Sequence, residues 1–457
     1  MERDYLITKN PLFALTVFFL PIMAGNLFQQ CYNLVDSAVV GRFVSEQALA
    51  AVGACLALVN VFIFIANGGG VGAAVIVGLH FGEQDFKKLK TAVFTSFIAF
   101  LILSFILGLV GLIFGRAFMI ALQVPADILD MSVVYLRIWF LGLPFLFMYN
   151  VISALFNALG KSKFPLFFLI FSSVLNVFLD LLFVIKFKAG IAGVAWATLI
   201  SQGISSVLSF CFFMITLKKI SKGEDEGYNS ETVPSKIQIF SFSELGAIVK
   251  VALPSIFQQS TISIGLLLIQ SVVNSFGSQA LAGFSVGFRI EQLGSVAMVA
   301  TGTALSTFVA QNLGAGKFKR ISSGYLASNF LSLISGLLFF IFVRIFMNPI
   351  ISLFLGDAIS EAARVTAVKY LNYMSIVLSI LGFKQNSDGV LRGSSRMLAF
   401  TIANVVNITL RVVFPHIFVP YLGIDAVWIA SPVGWIASIL ICYIDYKIYY
   451  RKLLRKS

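Results

Sequence analysis

The chain has 457 residues, of which 59% are hydrophobic and only 12% charged; 47 are Phe, and the net charge is +13. With a mean hydropathy of +0.95 this composition excludes a soluble enzyme, a nucleic-acid-binding domain and a disordered chain, because a soluble fold leaves about a quarter of its extended surface in water. It predicts a polytopic helical membrane protein, whose excess Lys and Arg belong on cytoplasmic loops and not on a nucleic acid.

Twelve apolar segments are predicted to cross the membrane: 12–38, 48–78, 92–114, 132–156, 165–185, 191–216, 247–272, 280–310, 322–346, 367–391, 398–418 and 426–449. They are continuous apolar runs near or above the roughly 20 residues that span hydrocarbon, without the short alternating pattern of a membrane barrel. The first is too long for a cleavable signal peptide, and Asp36 near its end is foreign to one. Cys31, Cys55, Cys211 and Cys442 form no CxxC, and His80 and His416 are too few for a zinc cluster.

The first segment carries Asn26, Gln29, Gln30, Asn33 and Asp36, spaced to form one broad polar face. Such a face does not suit lipid. Amides alone could serve helix packing, but Asp36 needs a proton, a cation or a partner. Pro21 removes a helical donor in the same segment and is a candidate bend. In the fifth segment Asn176 and Asp180 share a face, and Thr198 of the sixth could add a hydroxyl. Carboxylates from two helices with neutral oxygens suit a proton or a small hard cation, because two adjacent carboxylates cannot both stay ionised cheaply. The other reading is a satisfied structural network.

The later segments hold Arg289 and Glu291, Lys384 and Asp388, and Arg411. Lys384 and Asp388 are four apart and placed to neutralise each other, whereas Arg289 and Glu291 face different ways and should pair across helices. Both an ion-pair network and direct contact with substrate or ion fit this second set. Charges inside hydrocarbon cost about 2.5–3.5 kcal/mol each even on a lenient scale, so they mark pathways or pairs.

Loop charges set the topology. With the amino terminus inside, Lys87, Lys88, Lys90, Lys161, Lys163, Lys218, Lys219, Lys317, Lys319, Arg320 and the basic carboxyl-terminal tail all fall on that side, so both termini are expected in the cytoplasm. The halves also repeat. Phe43-Val44-Ser45-Glu46-Gln47-Ala48-Leu49-Ala50 returns as Phe276-Gly277-Ser278-Gln279-Ala280-Leu281-Ala282 with one residue deleted, and Gly82 before Phe86-Lys87 returns as Gly314 before Phe318-Lys319, with Gln47 to Gln279 and Gly82 to Gly314 at one shared offset. Leu20-Pro21 returns as Leu253-Pro254, and Gly190-Ile191 before Trp196 as Gly423-Ile424 before Trp428. Six helices per repeat is even, so the copies are parallel, as in transporters built for alternating access. The expected fold is all-α, with a six-helix lobe over 1–216, a polar cytoplasmic linker over 217–246 and a six-helix lobe over 247–457. A substrate cavity is expected between the lobes.

The stretch Pro21 to Gly41 (PIMAGNLFQQCYNLVDSAVVG), Ala48 to Gly53, Asn176 to Asp180 and Gly190 to Thr198 resemble the multidrug and toxic compound extrusion family, bacterial and archaeal type. The resemblance covers nearly the whole chain. It implies a V-shaped pair of six-helix bundles and a secondary active antiporter that exports amphipathic, often cationic drugs or toxic compounds in exchange for H+ or Na+. By motif it assigns Asp36, Asn176, Asp180 and Thr198 to coupling-ion or proton binding, with Tyr135 beside them. The first four would hold Na+ if sodium is the ion. Gln30, Asn33, Arg289, Glu291, Lys384 and Asp388 are the candidates for substrate or cavity contact. The reading implies no enzyme activity, no cofactor beyond the coupling ion, a place in the plasma membrane among lipids, and function as a monomer. The alternative is a flippase for a lipid-linked sugar or cell-wall precursor. Such proteins often have more cationic cavities and sometimes fourteen helices, and the Asp36 and Asp180 pair argues against it.

Overall fold

The computed structural model describes residues 4–222, 238–355 and 360–454. The described residues are helical, with no strand among them. A short helix α1 (Tyr5–Thr8) precedes α2 (Pro11–Phe43), α3 (Glu46–Glu83), α4 (Phe86–Ala121), α5 (Ala126–Leu141), α6 (Leu143–Ala158) and α7 (Lys163–Leu181), which runs into a π-helical turn (Leu182–Lys186). Then follow α8 (Gly190–Lys222), α9 (Phe242–Asn274), α10 (Ser278–Gly314), α11 (Phe318–Leu355), α12 (Glu361–Gly393), α13 (Met397–Leu422) and α14 (Asp425–Leu454).

Among the described residues 11 helices are long and apolar enough to cross a membrane, and the pair α5 and α6 adds a twelfth span bent by 51°. The expected fourth segment, 132–156, is that pair. The break falls at Gly142, with Pro144 in the first turn of α6, where its missing N–H costs nothing. Of the expected linker 217–246, residues 223–237 lie outside the described residues; 217–222 close α8 and 242–246 open α9.

Short connections are fixed by capping. The Ser45 hydroxyl accepts from Ala48 N–H at 3.0 Å and opens α3. Asp85 accepts from Lys88 N–H at 3.0 Å and opens α4. Ser360 accepts from Ala363 N–H at 3.3 Å and opens α12. Each satisfies an N–H that a helix start otherwise leaves orphaned.

The chain forms two compact units, one from Ala24–Ile256, the other from Asp4–Met23 with the described part of Phe257–Ser457. The division passes through α2 and α9, close behind Pro21 and Pro254, which are internal to those helices. In the first unit α3, α4, α5, α6 and α8 share a core rich in Phe, including Phe62, Phe97, Phe140, Phe147, Phe156 and Phe213. In the second, α10 and α12 pack at backbone distance. A methyl group added to Gly302 would lie 2.4 Å from the Gln385 carbonyl oxygen, and one added to Gly389 would lie 2.4 Å from the Gly302 carbonyl oxygen. Only glycine permits this approach, the usual device for pairing helices in lipid.

Candidate functional site

Four helices of the first unit bring together a polar group. Asp36 and Tyr32 stand one turn apart on α2, Asn176 and Asp180 one turn apart on α7, Thr198 lies on α8 and Tyr135 on α5. The i,i+4 spacing aims both side chains of each pair along one face. Asn176 and Asp180 are almost wholly buried, at 1% and 0% exposure, and Tyr135 is buried beside them.

The two carboxyl groups meet. Asp36 and Asp180 lie within hydrogen-bonding reach of each other. An ionised carboxylate can only accept, so a hydrogen bond between the two requires one of them to carry a proton. Oδ1 of each is buried without a partner. Among the described residues no basic side chain pairs with either. Tyr135 is close enough to feel both charges.

Asn176 ties the group together. With its amide oriented so that both ends are satisfied, Nδ2 donates to Asp180 Oδ2 at 3.0 Å and to the Tyr32 hydroxyl at 2.8 Å, and its carbonyl accepts from Thr198 N–H at 3.2 Å. The Thr198 hydroxyl donates to Val194 O at 3.1 Å and lies within hydrogen-bonding reach of Tyr32. The Asn176 amide nitrogen thus faces the Asp180 carboxyl and the Tyr32 hydroxyl, and the oxygens available to a proton or a hard monovalent cation are those of Asp36 and Asp180.

The structure therefore brings together Asp36, Asn176, Asp180, Thr198 and Tyr135. Of the other sequence candidates in this unit, Asn33 is exposed and accepts from Gln29 at 3.0 Å on its own helix. Gln30 is half-buried. Tyr32 also belongs to the group, and its place one turn before Asp36 is the signal for it in the sequence.

In the second unit Lys384 Nζ donates to Asp388 Oδ2 at 2.6 Å and to Asn404 Oδ1 at 2.7 Å. Gln258 Nε2 donates to the same two oxygens at 2.8 and 3.0 Å. Glu291 is buried and accepts from the Tyr370 hydroxyl of α12, near Arg411 of α13. Arg289 is exposed. Gln258, Asn404 and Tyr370 were not legible as site residues, because a lone amide or phenol in an apolar run has no distinctive spacing.

The MatE family model matches residues 21–182 and 254–417, one match in each half. The chain belongs to the MatE family. Matched twice along its length, this MatE chain is a multi-pass membrane protein of a transporter family. It is 28% identical over 439 residues to the "Probable multidrug resistance protein YpnP" of Bacillus subtilis (strain 168), covering 96% of this chain and 95% of that one. It is 24% identical to the "Multidrug export protein MepA" of Staphylococcus aureus (strain MRSA252), covering 97% and 96%. Its fold matches the solved structure of MATE in the straight conformation with a TM-score of 0.89 at 22% identity, over 100% of this chain and 99% of that one.

Proposed function

We propose that this MatE protein is a secondary active antiporter that exports amphipathic, often cationic drugs or toxic compounds, driven by an inward flow of H+ or Na+ through the Asp36–Asp180 group. The carrying observation is the approach of the half-buried Asp36 carboxyl to the buried Asp180 carboxyl with no basic partner among the described residues. Its multidrug-export relatives supply the substrate class. Proton coupling is the first reading, because the carboxyl contact already calls for a proton. Sodium is the second, on the family resemblance, and would require the Asn176 amide to turn its oxygen toward the carboxylates.

Antiport needs ion and drug to prefer different states, since a ligand that binds both equally shifts neither. A proton entering from outside removes one negative charge and allows Asp36 to close on Asp180. The attraction for a cationic drug falls, and α2 repacks against α7. Sodium would act by drawing Asp36, Asp180 and the neutral oxygens around itself. Pro21 is the proposed bend in α2. No cofactor and no catalytic chemistry enter this scheme. The protein is placed in the plasma membrane, among lipids, as a functional monomer with both termini in the cytoplasm.

Purified protein in liposomes, given a pH gradient or a Na+ gradient separately, tests the coupling with fluorescent dyes and cationic antibiotics. Asp36→Asn and Asp180→Asn should each abolish gradient-driven export. Full export in both would place coupling elsewhere, and saturable movement of an isoprenoid-linked sugar without drug export would support the flippase reading. Labelling of single cysteines in 217–246 from outside intact cells would overturn the topology.

A further inference from the structure

The buried polar network of the second unit differs from the first in one chemical respect: it contains its own cation. Asp388 and Lys384 stand one turn apart on α12, Asn404 projects from α13, and Gln258 from α9. All four are buried, with Lys384 at 3% exposure and Asp388 at 0%. The Lys384 ammonium sits 2.6 Å from a carboxylate oxygen and 2.7 Å from an amide oxygen, drawn from two helices. Gln258, from a third helix, donates to those same two oxygens. Asn404 Nδ2 reaches the other carboxylate oxygen at 3.3 Å, and the Cys442 thiol lies 4.0 Å from it. The oxygens are therefore pre-oriented on one point by donors of their own, and the ammonium occupies that point.

We propose that the Lys384 ammonium is the built-in occupant of a monovalent-cation site formed by the oxygens of Asp388 and Asn404, which Gln258 orients. Carboxylate and amide oxygens are ligands for hard cations. An ammonium group is a compact point charge on a flexible stem and makes the same contacts as a free ion. Its attachment to α12 changes the thermodynamics. A free ion leaves when its concentration falls, whereas a tethered one is held at high effective concentration and cannot follow a gradient. The second unit then keeps one charge state whatever ions surround it. The proposal concerns a fixed property of the second unit and does not rest on the antiport reading.

The prediction is that removing the tether opens the site to a mobile cation. In Lys384→Ala the carboxylate of Asp388 loses its partner, and the vacated volume is that of an alkyl ammonium. The test compares the unfolding midpoint of purified full-length protein in Na+, methylammonium or choline chloride at equal ionic strength. The wild-type difference between salts gives the response of the rest of the molecule. Lys384→Ala should add a saturable upward shift in Na+ or methylammonium, on the order of a few degrees, over its own choline baseline. The Lys384→Ala/Asp388→Asn double variant should lose that addition.

A Lys384→Ala protein whose salt response equals that of the wild type overturns the proposal, as does an added response that survives Asp388→Asn. Where Lys384→Ala is lost on extraction in choline, the salts are supplied during extraction. Recovery in Na+ or methylammonium supports the proposal, and loss in all three overturns it. Failure of gradient-driven drug export in the wild type would bear on the proposed function and leave these measurements standing.

Discussion

Gly302→Ala on α10 tests the contact between α10 and α12, the helix that carries Lys384 and Asp388. The added methyl carbon would sit 2.4 Å from the Gln385 carbonyl oxygen and 2.8 Å from its carbonyl carbon, whereas ordinary contact begins at 3.4 Å. Both obstacles are backbone, so no rotamer change relieves them, and α10 and α12 must part by about 1 Å. Overpacking of this kind costs about 1–3 kcal/mol. For a unit of roughly 200 residues that lowers the unfolding midpoint by about 2–12 °C. Gly389→Ala approaches the same contact from α12 and should behave alike, since its methyl carbon meets the Gly302 carbonyl oxygen. Gln385 and Gly389 flank Lys384 and Asp388 in sequence, so the strain falls on the helix that carries the ion pair. Gly53→Ala and Gly246→Ala are the controls. Nothing lies within 4 Å of their added methyl groups, and alanine favours a helix by about 1 kcal/mol over glycine. Thermal unfolding of the four variants, followed by size-exclusion recovery after heating, separates the two classes. Gly302→Ala and Gly389→Ala proteins as stable as the controls would refute the backbone contact and the argument built on it.

Tyr32→Phe removes the hydroxyl that lies 2.8 Å from the Asn176 amide; a loss of about 1 kcal/mol should weaken the apparent affinity for the driving ion roughly five-fold without abolishing export, read from gradient titrations in liposomes. Glu244→Gln replaces one of the two carboxylates that hold His80, the other being Glu83, at 3.1 and 2.9 Å; it should cost about 1.5–3 kcal/mol and raise protease cleavage at the start of α9. Asp85→Ala should cost about 1 kcal/mol by uncapping α4. The pH dependence of that cap has a definite sign. Burial pushes the Asp85 carboxyl up, but the Lys88 N–H and ammonium outweigh it and hold the group below its ordinary value. The cap therefore contributes fully above the unfolded carboxyl range and is lost as pH falls through the depressed value. The wild type minus Asp85→Ala stability difference should shrink on acidification, and an unchanged difference would refute the cap's ionic character.

The helices were legible because each apolar run is longer than a bilayer and is bounded by charged or capping residues. The bend at Gly142 was not read, although Gly142 and Pro144 stand together inside the fourth run; local breakers do not tell whether a span ends or turns. Asp36 and Asp180 were conspicuous because a carboxylate in hydrocarbon is costly. Asn176 and Thr198 followed from spacing and resemblance. Tyr32 hid because its ring is apolar and only its hydroxyl joins the group. Arg289 misled in the opposite way: its charge stands out in the sequence, yet the side chain is exposed and Glu291 finds Tyr370 instead. Gln258 and Asn404 acquire meaning only when α9, α12 and α13 bring them to the same two oxygens.

The two repeats kept their helices and diverged in their charges. In the first unit two carboxyl groups face each other across α2 and α7, and their charge is balanced only by what enters from solution. In the second unit Asp388 is paired with Lys384, and Glu291 accepts from Tyr370. A buried charge without a partner must change its occupancy when the surroundings change, whereas a paired one resists change, because breaking it strands an ion in a low dielectric. A gradient can do work only on the first kind of site. Duplication therefore supplied two similar scaffolds, and the placement of a single lysine one turn before Asp388 is enough to make one of them electrostatically fixed. On the proposed function, the first unit is then the place where an ion gradient is converted into a change of packing.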